Sequence, residues 1–217
     1  EFVTNGVFAS IKIELLEINH HKTSLIRKLG DFDITKLQSQ IDQLNRASWD
    51  AEEDFKFNYN KNNKALSQVR HLTLRFINRQ QNPYQYIESK RWKQWESLLL
   101  PLMKEIVSPY GYENPVFPKV MFANLPAGSF IPPHIDGDKR GHIPHKIHLP
   151  ILTNNQSYFF LENNRYHFET GKAYEINNGL RHAVANNGLT DRIHLIFECL
   201  DYEIQPKTTQ NKMERLR

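Results

Sequence analysis

The spacing of apolar positions divides the chain near Pro118 into a mixed first part and a strand-rich second part. Ile11 to Ile18 carries β-branched residues in partial alternation, which predicts a strand. His20-His21 after it reads as a solvated turn, because neighbours in a strand face apart. From Asp33 to Leu44, Ile34, Leu37, Ile41 and Leu44 recur at helical spacing, with Asp33 as the expected cap. Asp50 to Asn63 is polar and aromatic and reads as a loop. Gln68 to Ile77 alternates as a strand, with Val69, His71, Thr73 and Arg75 on one face and Arg70, Leu72, Leu74 and Phe76 on the other. Arg70 interrupts an apolar face, so a buried ion pair is expected there, with a substrate contact as the competing reading. Tyr86 to Val107 predicts a helix whose Trp92, Trp95, Leu98, Leu99, Leu102 and Ile106 form a packing stripe, with Pro101 a kink or a break.

Beyond Pro118 the pattern turns to short strands and turns: Val120 to Asn124, a strand ending or beginning at His134 to Asp136, and Lys146 to Leu152. A hairpin follows, Tyr158 to Leu161 and Tyr166 to Phe168 around Asn163-Asn164, then Ala173 to Ile176, His182 to Ala185 and Arg192 to Cys199. Such regular short strands argue a sandwich or barrel. In Lys146 to Leu152, Ile147, Leu149 and Ile151 oppose Lys146 and His148. In the last strand, Ile193, Leu195 and Phe197 oppose Arg192, His194 and Ile196. The basic sides are expected to line a pocket and the aliphatic sides to lie under the helices.

Composition narrows the class. At 217 residues, 39% of them hydrophobic, one domain with a real core is expected, the first part being an elaboration of it. The net charge of +4 comes from scattered Lys and Arg, which suits a small acidic ligand and not nucleic acid. Cys199 alone excludes an intrachain disulfide and a cysteine-built metal site. No apolar run reaches membrane-spanning length, and the first residues lack the regions of a signal peptide, so a cytoplasmic protein is expected.

The chemistry concentrates between Pro132 and Phe197. His134 and Asp136 stand two apart, which in an extended chain aims an imidazole and a carboxylate the same way. His182 can join them from a later strand, and two His with one carboxylate form the facial metal site of non-haem Fe(II) oxygenases. Arg192 follows, a planar cation suited to gripping a carboxylate.

His134-Ile135-Asp136, Lys146-Ile147-His148, Gly171, His182 with Asn186 and Gly188, and Arg192-Ile193-His194-Leu195 together resemble the aspartyl/asparaginyl β-hydroxylase family of Fe(II)/2-oxoglutarate dioxygenases, which includes proline-hydroxylase-like members. The resemblance runs from about Phe117 to Asp201. It implies a double-stranded β-helix, a cupin-like jelly-roll, over residues 117–205, with residues 1–116 packed on it as strands and helices and 206–217 a polar tail. It implies Fe(II) on His134, Asp136 and His182, with 2-oxoglutarate and O2 as cosubstrates and succinate and CO2 as products. Arg192 has the family position for the distal carboxylate of 2-oxoglutarate. Lys146 and His148 match a family Arg-x-His pair that binds the cosubstrate, Lys146 keeping the charge without the planar fork. Animal members acting on Asp or Asn of proteins typically lack a carboxylate at the position of Asp136, so its presence favours a free amino acid or an amino-acid-containing metabolite. A peptide or protein substrate, a non-catalytic jelly-roll module that retains the pocket, and a zinc enzyme with the same ligands are the alternatives. Arg140, in the charged segment after the dyad, is the candidate substrate anchor, and Arg70 its competitor. His142 and His145 lie in that loop and are expected to touch substrate or solvent, and His167 is not expected to be a ligand.

Overall fold

The computed structural model describes residues 22–50, 66–77, 86–136 and 144–201. The strand expected over Ile11 to Ile18, the His20-His21 pair, most of the loop after Asp50, Arg140, His142 and the tail lie outside these residues. Eleven strands are described: β1 (Ile26–Asp31), β2 (Arg70–Ile77), β3 (Tyr86–Glu88), β4 (Pro115–Leu125), β5 (Phe130–His134), β6 (His145–Leu152), β7 (Ser157–Leu161), β8 (Asn164–Tyr166), β9 (Lys172–Ile176), β10 (His182–Asn186) and β11 (Arg192–Asp201). The helices are α1 (Thr35–Ile41), α2 (Arg46–Asp50) and α3 (Trp92–Ile106).

The strands form two antiparallel sheets, a major one in the order β1-β9-β6-β11-β4-β2-β3 and a minor one in the order β5-β10-β7-β8. This is the expected mainly-β jelly-roll. Strands β1, β2 and β3 of the N-terminal part hydrogen-bond into the major sheet itself.

Two apolar clusters fix the layers. One lies between the major sheet and the helices, where Ile147, Leu149, Leu195 and Phe197 meet Trp95 and Leu99. The other lies between the sheets, where Tyr174 and Ile176 meet Ile131, Phe159, Leu161 and Val184. The aliphatic sides of β6 and β11 therefore do face the helices. Helix α3 buries Trp92, Trp95, Leu99, Met103 and Ile106, a stripe that advances by three or four residues. Pro101 neither breaks nor splits it: Pro101 and Ser97, whose carbonyl the missing N–H leaves unpaired, are both exposed, so solvent can satisfy that carbonyl. The helix begins at Trp92 and not at Tyr86, because Tyr86 to Glu88 pairs with β2 as an edge strand. In α1, Leu37 and Ile41 are buried, and the Asp33 carboxylate accepts the Thr35 N–H at 2.9 Å.

A bulge between Thr73 and Arg75 breaks the alternation of β2. Arg75 is thereby brought over the Trp92 ring, 3.8 Å from its centroid, and its guanidinium donates to Glu88 at 2.8 Å. The ion pair of this strand belongs to Arg75, which is buried while its partner Glu88 is exposed, whereas Arg70 is half-buried opposite Asn124, on the face that Leu72 and Leu74 turn to the helices.

Candidate metal and anion site

Strand β5 ends at His134 and sits at the edge of the minor sheet, a position where Pro132 and Pro133 cost no ladder hydrogen bonds. His134 is the register partner of His182 on β10, so both rings project from one face, with centroids 4.3 Å apart. Each ring is held by the same device. The Nδ1–H of His134 donates to Pro132 O and that of His182 to Leu180 O, both at 2.9 Å. A carbonyl only accepts, so Nδ1 of each ring carries a proton and each Nε2 is the atom turned toward the centre, that of His134 toward the Asp136 carboxylate, which raises the His134 pKa. Phe159 stacks on His182, 5.5 Å between centroids, and restricts its rotation.

Asp136 follows β5 and is anchored by its backbone N–H, which donates to Asn178 O at 3.2 Å. Its Oδ1 stands 3.5 Å from His134 Nε2 and its Oδ2 3.9 Å from His182 Nε2. One ligand atom from each of the three residues lies within 4.8 Å of the others. Burial opposes ionisation of Asp136, yet Lys146, whose Nζ donates to Oδ2, and His134 outweigh it and hold the carboxyl well below the usual range. Burial pushes His182 down to about 4. An anionic carboxylate and a neutral imidazole are the protonation states that metal ligation needs. Two imidazoles and a carboxylate on one side suit a divalent transition metal with open positions opposite.

A second polar group lies on the interior face of the major sheet, across from the minor sheet that carries this cluster. Arg192 is buried, and its Nη2 donates to His194 Nδ1 at 3.0 Å. Burial alone lowers its pKa to about 9. Among the described residues no carboxylate is in ion-pair reach of Arg192, and the neighbouring Asp191 points elsewhere, accepting from Asn124 and Ala127. Because Nδ1 of His194 accepts, its Nε2 carries the proton, and that donor is buried without a partner. Both ring nitrogens of His148 are likewise buried and unpartnered, with the ring 5.8 Å from that of His194 and 5.9 Å from Phe159. Burial first, then the nearby cations, keep His148 and His194 neutral. A guanidinium without a carboxylate partner, beside an imidazole N–H without an acceptor among the described residues, describes a receptor for a carboxylate.

The structure thus brings together His134, Asp136, His182, Lys146, His148 and Arg192, and it places Arg70 on the opposite face of the major sheet. His145 requires a correction. It is not a loop residue but the buried first residue of β6, and its Nδ1 lies 2.7 Å from Glu175 Oε1. Glu175, fully buried, also accepts from Arg27, from Tyr110 at 2.8 Å and from the Thr23 N–H. Sequence reasoning missed this network, since its members come from four separate segments. It also missed Glu198, although continued alternation from Arg192 would have placed Glu198 on the pocket face. Asn186 and Gly188 prove to shape the turn between β10 and β11: Asn186 Nδ2 donates to Leu125 O and Thr190 O, and a Cβ on Gly188 would fall 2.1 Å from Asn154 Oδ1.

A family model described as aspartyl/asparaginyl beta-hydroxylase matches residues 37–201. No curated protein sequence matches. An oxidoreductase of the 2OG-Fe(II) oxygenase family from Burkholderia pseudomallei is similar in structure, with a TM-score of 0.57 at 11% identity over 92% of each chain. A prolyl hydroxylase from Trichoplax adhaerens, in complex with a hypoxia inducible factor peptide fragment, gives 0.55 at 12% identity over 93% of this chain and 94% of that one. The viral collagen prolyl hydroxylase of Paramecium Bursaria Chlorella virus-1, a 2OG complex, gives 0.51 at 7% identity over 82% and 96%. These likenesses establish the fold. Among the described residues no helix is long and apolar enough to cross a membrane.

Proposed function

Since the chain belongs to the aspartyl/asparaginyl β-hydroxylase family, we propose that it is an Fe(II)- and 2-oxoglutarate-dependent dioxygenase that hydroxylates an unactivated C–H bond of an amino acid or an amino-acid-containing substrate. One observation carries this reading: a two-His, one-carboxylate cluster on the minor sheet and a buried arginine without a carboxylate partner on the major sheet both act on His148 in the interior between the sheets. His134, Asp136 and His182 would hold the iron, their Nε2 atoms and carboxylate already turned inward. Arg192, with the Nε2–H of His194 beside it, would take the distal carboxylate of 2-oxoglutarate. Lys146 and His148 line the stretch between, where the remaining oxygens of the cosubstrate would lie. When bound, Fe(II) with O2 and 2-oxoglutarate supplies the oxidising power for C–H hydroxylation, succinate and CO2 being released. The chain's own part is to orient these groups and exclude water, which Phe159 and Phe168 serve by packing around His148.

The test is succinate formation by protein reconstituted anaerobically with Fe(II) and then exposed to air with 2-oxoglutarate and a panel of free amino acids and peptides. Substrate-stimulated succinate is expected. Binding of 2-oxoglutarate with no succinate from any substrate would make the chain a module that keeps the pocket and not the reaction.

A further inference from the structure

The interior face of β11 runs from Arg192 through His194 and Ile196 to Glu198, so Arg192 and Glu198 stand toward opposite ends of it. The Glu198 end adjoins the metal-ligand cluster. Glu198 is the register partner of Lys146 on β6, and Lys146 donates to Asp136. On its other side Glu198 pairs in register with Lys119 of β4. Only 4% of Glu198 is exposed. Its Oε1 faces Lys119 Nζ at 3.4 Å, and its buried Oε2 has no hydrogen-bond partner among the described residues. An orphaned carboxylate oxygen is a costly thing to keep in a folded chain, and it invites a donor from outside.

Cations surround this oxygen in excess. Lys119 is close enough to Asp136 to help hold its carboxyl down. Lys22 donates to Pro144 O at 2.9 Å and to Asn178 Oδ1, and Asn178 in turn holds the Asp136 backbone. Burial lowers Lys22 to about 8, and of the charges that oppose this, Glu198 acts most strongly. The region therefore offers one anionic acceptor, unpartnered at Oε2 among the described residues, beside three cations, Lys119, Lys146 and Lys22, of which Lys146 is turned to Asp136, at the end of the face remote from Arg192.

We infer that Glu198 is the seat of the α-ammonium of a free amino-acid substrate, and that Lys119 and Lys22 receive its α-carboxylate. The inference rests on the hydroxylase reading for its substrate class, and it selects within it. Two lysines alone would accept any anion, and Glu198 alone any cation. A zwitterion satisfies both, whereas an internal residue of a peptide presents neutral amides at both positions and leaves Oε2 unpaired.

The experiment is anaerobic calorimetric titration of the Mn(II)- and 2-oxoglutarate-loaded protein with each of the twenty L-amino acids and its Nα-acetyl form. Without O2 no turnover intrudes. At least one free amino acid should bind, with its acetylated form weaker by at least about 30-fold, a charge-assisted pair being lost. Glu198→Gln should weaken the free amino acid by a similar factor and lower the melting temperature, since it leaves Lys119 without its partner, while the affinity for 2-oxoglutarate, whose distal carboxylate lies at the remote Arg192 end, stays within threefold. Binding of the acetylated form within threefold of the free one, no binding by any free amino acid, or an unchanged affinity in Glu198→Gln would each overturn the inference. Should Glu198→Gln fail to fold, the acetylation comparison on the wild type decides alone. An amino acid bound through Glu198 that yields no succinate in air sinks the hydroxylase reading and leaves the seat standing. Succinate stimulated only by peptides does the reverse.

Discussion

Replacing Arg192 with methionine is expected to move stability and ligand affinity in opposite directions. The guanidinium is fully buried, and burial lowers its pKa from the usual arginine range to about 9. At about 1.4 kcal/mol per pH unit, keeping it charged costs the fold on the order of 5 kcal/mol. The sign follows from the direction of the shift. The folded state binds this proton more weakly than the unfolded state, so the cost is full below about pH 9 and fades as pH rises above it. Methionine removes it and fills most of the same volume. Against this stands the hydrogen bond to His194 Nδ1, whose loss costs roughly 1–3 kcal/mol. The ligand-free variant should therefore be more stable at pH 7.5 by a few kcal/mol, read by urea denaturation. Its affinity for 2-oxoglutarate should fall by roughly 2–5 kcal/mol, or about 30-fold to a few thousandfold, read by anaerobic titration. A variant that is less stable without ligand, or that binds 2-oxoglutarate as the wild type does, refutes the assignment of Arg192 as a carboxylate receptor waiting for its partner.

Three more outcomes are expected. His134→Ala, Asp136→Ala and His182→Ala should each abolish stoichiometric iron binding with the circular dichroism spectrum retained, and any one that keeps iron and turnover is not a ligand. Gly188→Ala should cost about 1–3 kcal/mol in urea denaturation, because the new Cβ meets an Asn154 amide fixed by Asn186 and Thr190; a loss under about 0.5 kcal/mol would mean that the turn yields. Glu175 is held at about 2 against burial by His145 and Arg27, so its stabilisation is present above about pH 4.5 and lost as pH falls toward 2. Glu175→Gln should lower stability at neutral pH by roughly 3 kcal/mol and flatten the acid limb of the stability curve between those values, and a curve parallel to the wild type would exclude Glu175 as the group responsible.

Local pattern was enough for much of the frame. The helical spacing of Trp92, Trp95, Leu99 and Ile106 located the face of α3, since three- and four-residue steps admit one packing side. The two-residue alternation of β6 and β11 separated Ile147, Leu149, Leu195 and Phe197 from Lys146, His148, Arg192 and His194, and His134-x-Asp136 with His182 picked out three residues whose ligand atoms converge closely enough to hold a metal ion. These features depend on periods of the backbone and on side-chain chemistry, both of which a linear chain displays.

Other features were settled by tertiary contact alone. The bulge in β2 shifts Arg75 off its expected alternation and gives it the ion pair expected of Arg70, because an extra residue in one strand is set by the register of its partner. Tyr86 to Glu88 is drawn from helix to edge strand by an available partner in β2. His145 is buried against Glu175, Arg27 and Tyr110, and Glu198 is left with an orphaned oxygen beside Lys119, by strands far apart in the chain. A buried charge is compatible with the fold only in view of what faces it across space, and no spacing along the chain encodes that neighbour.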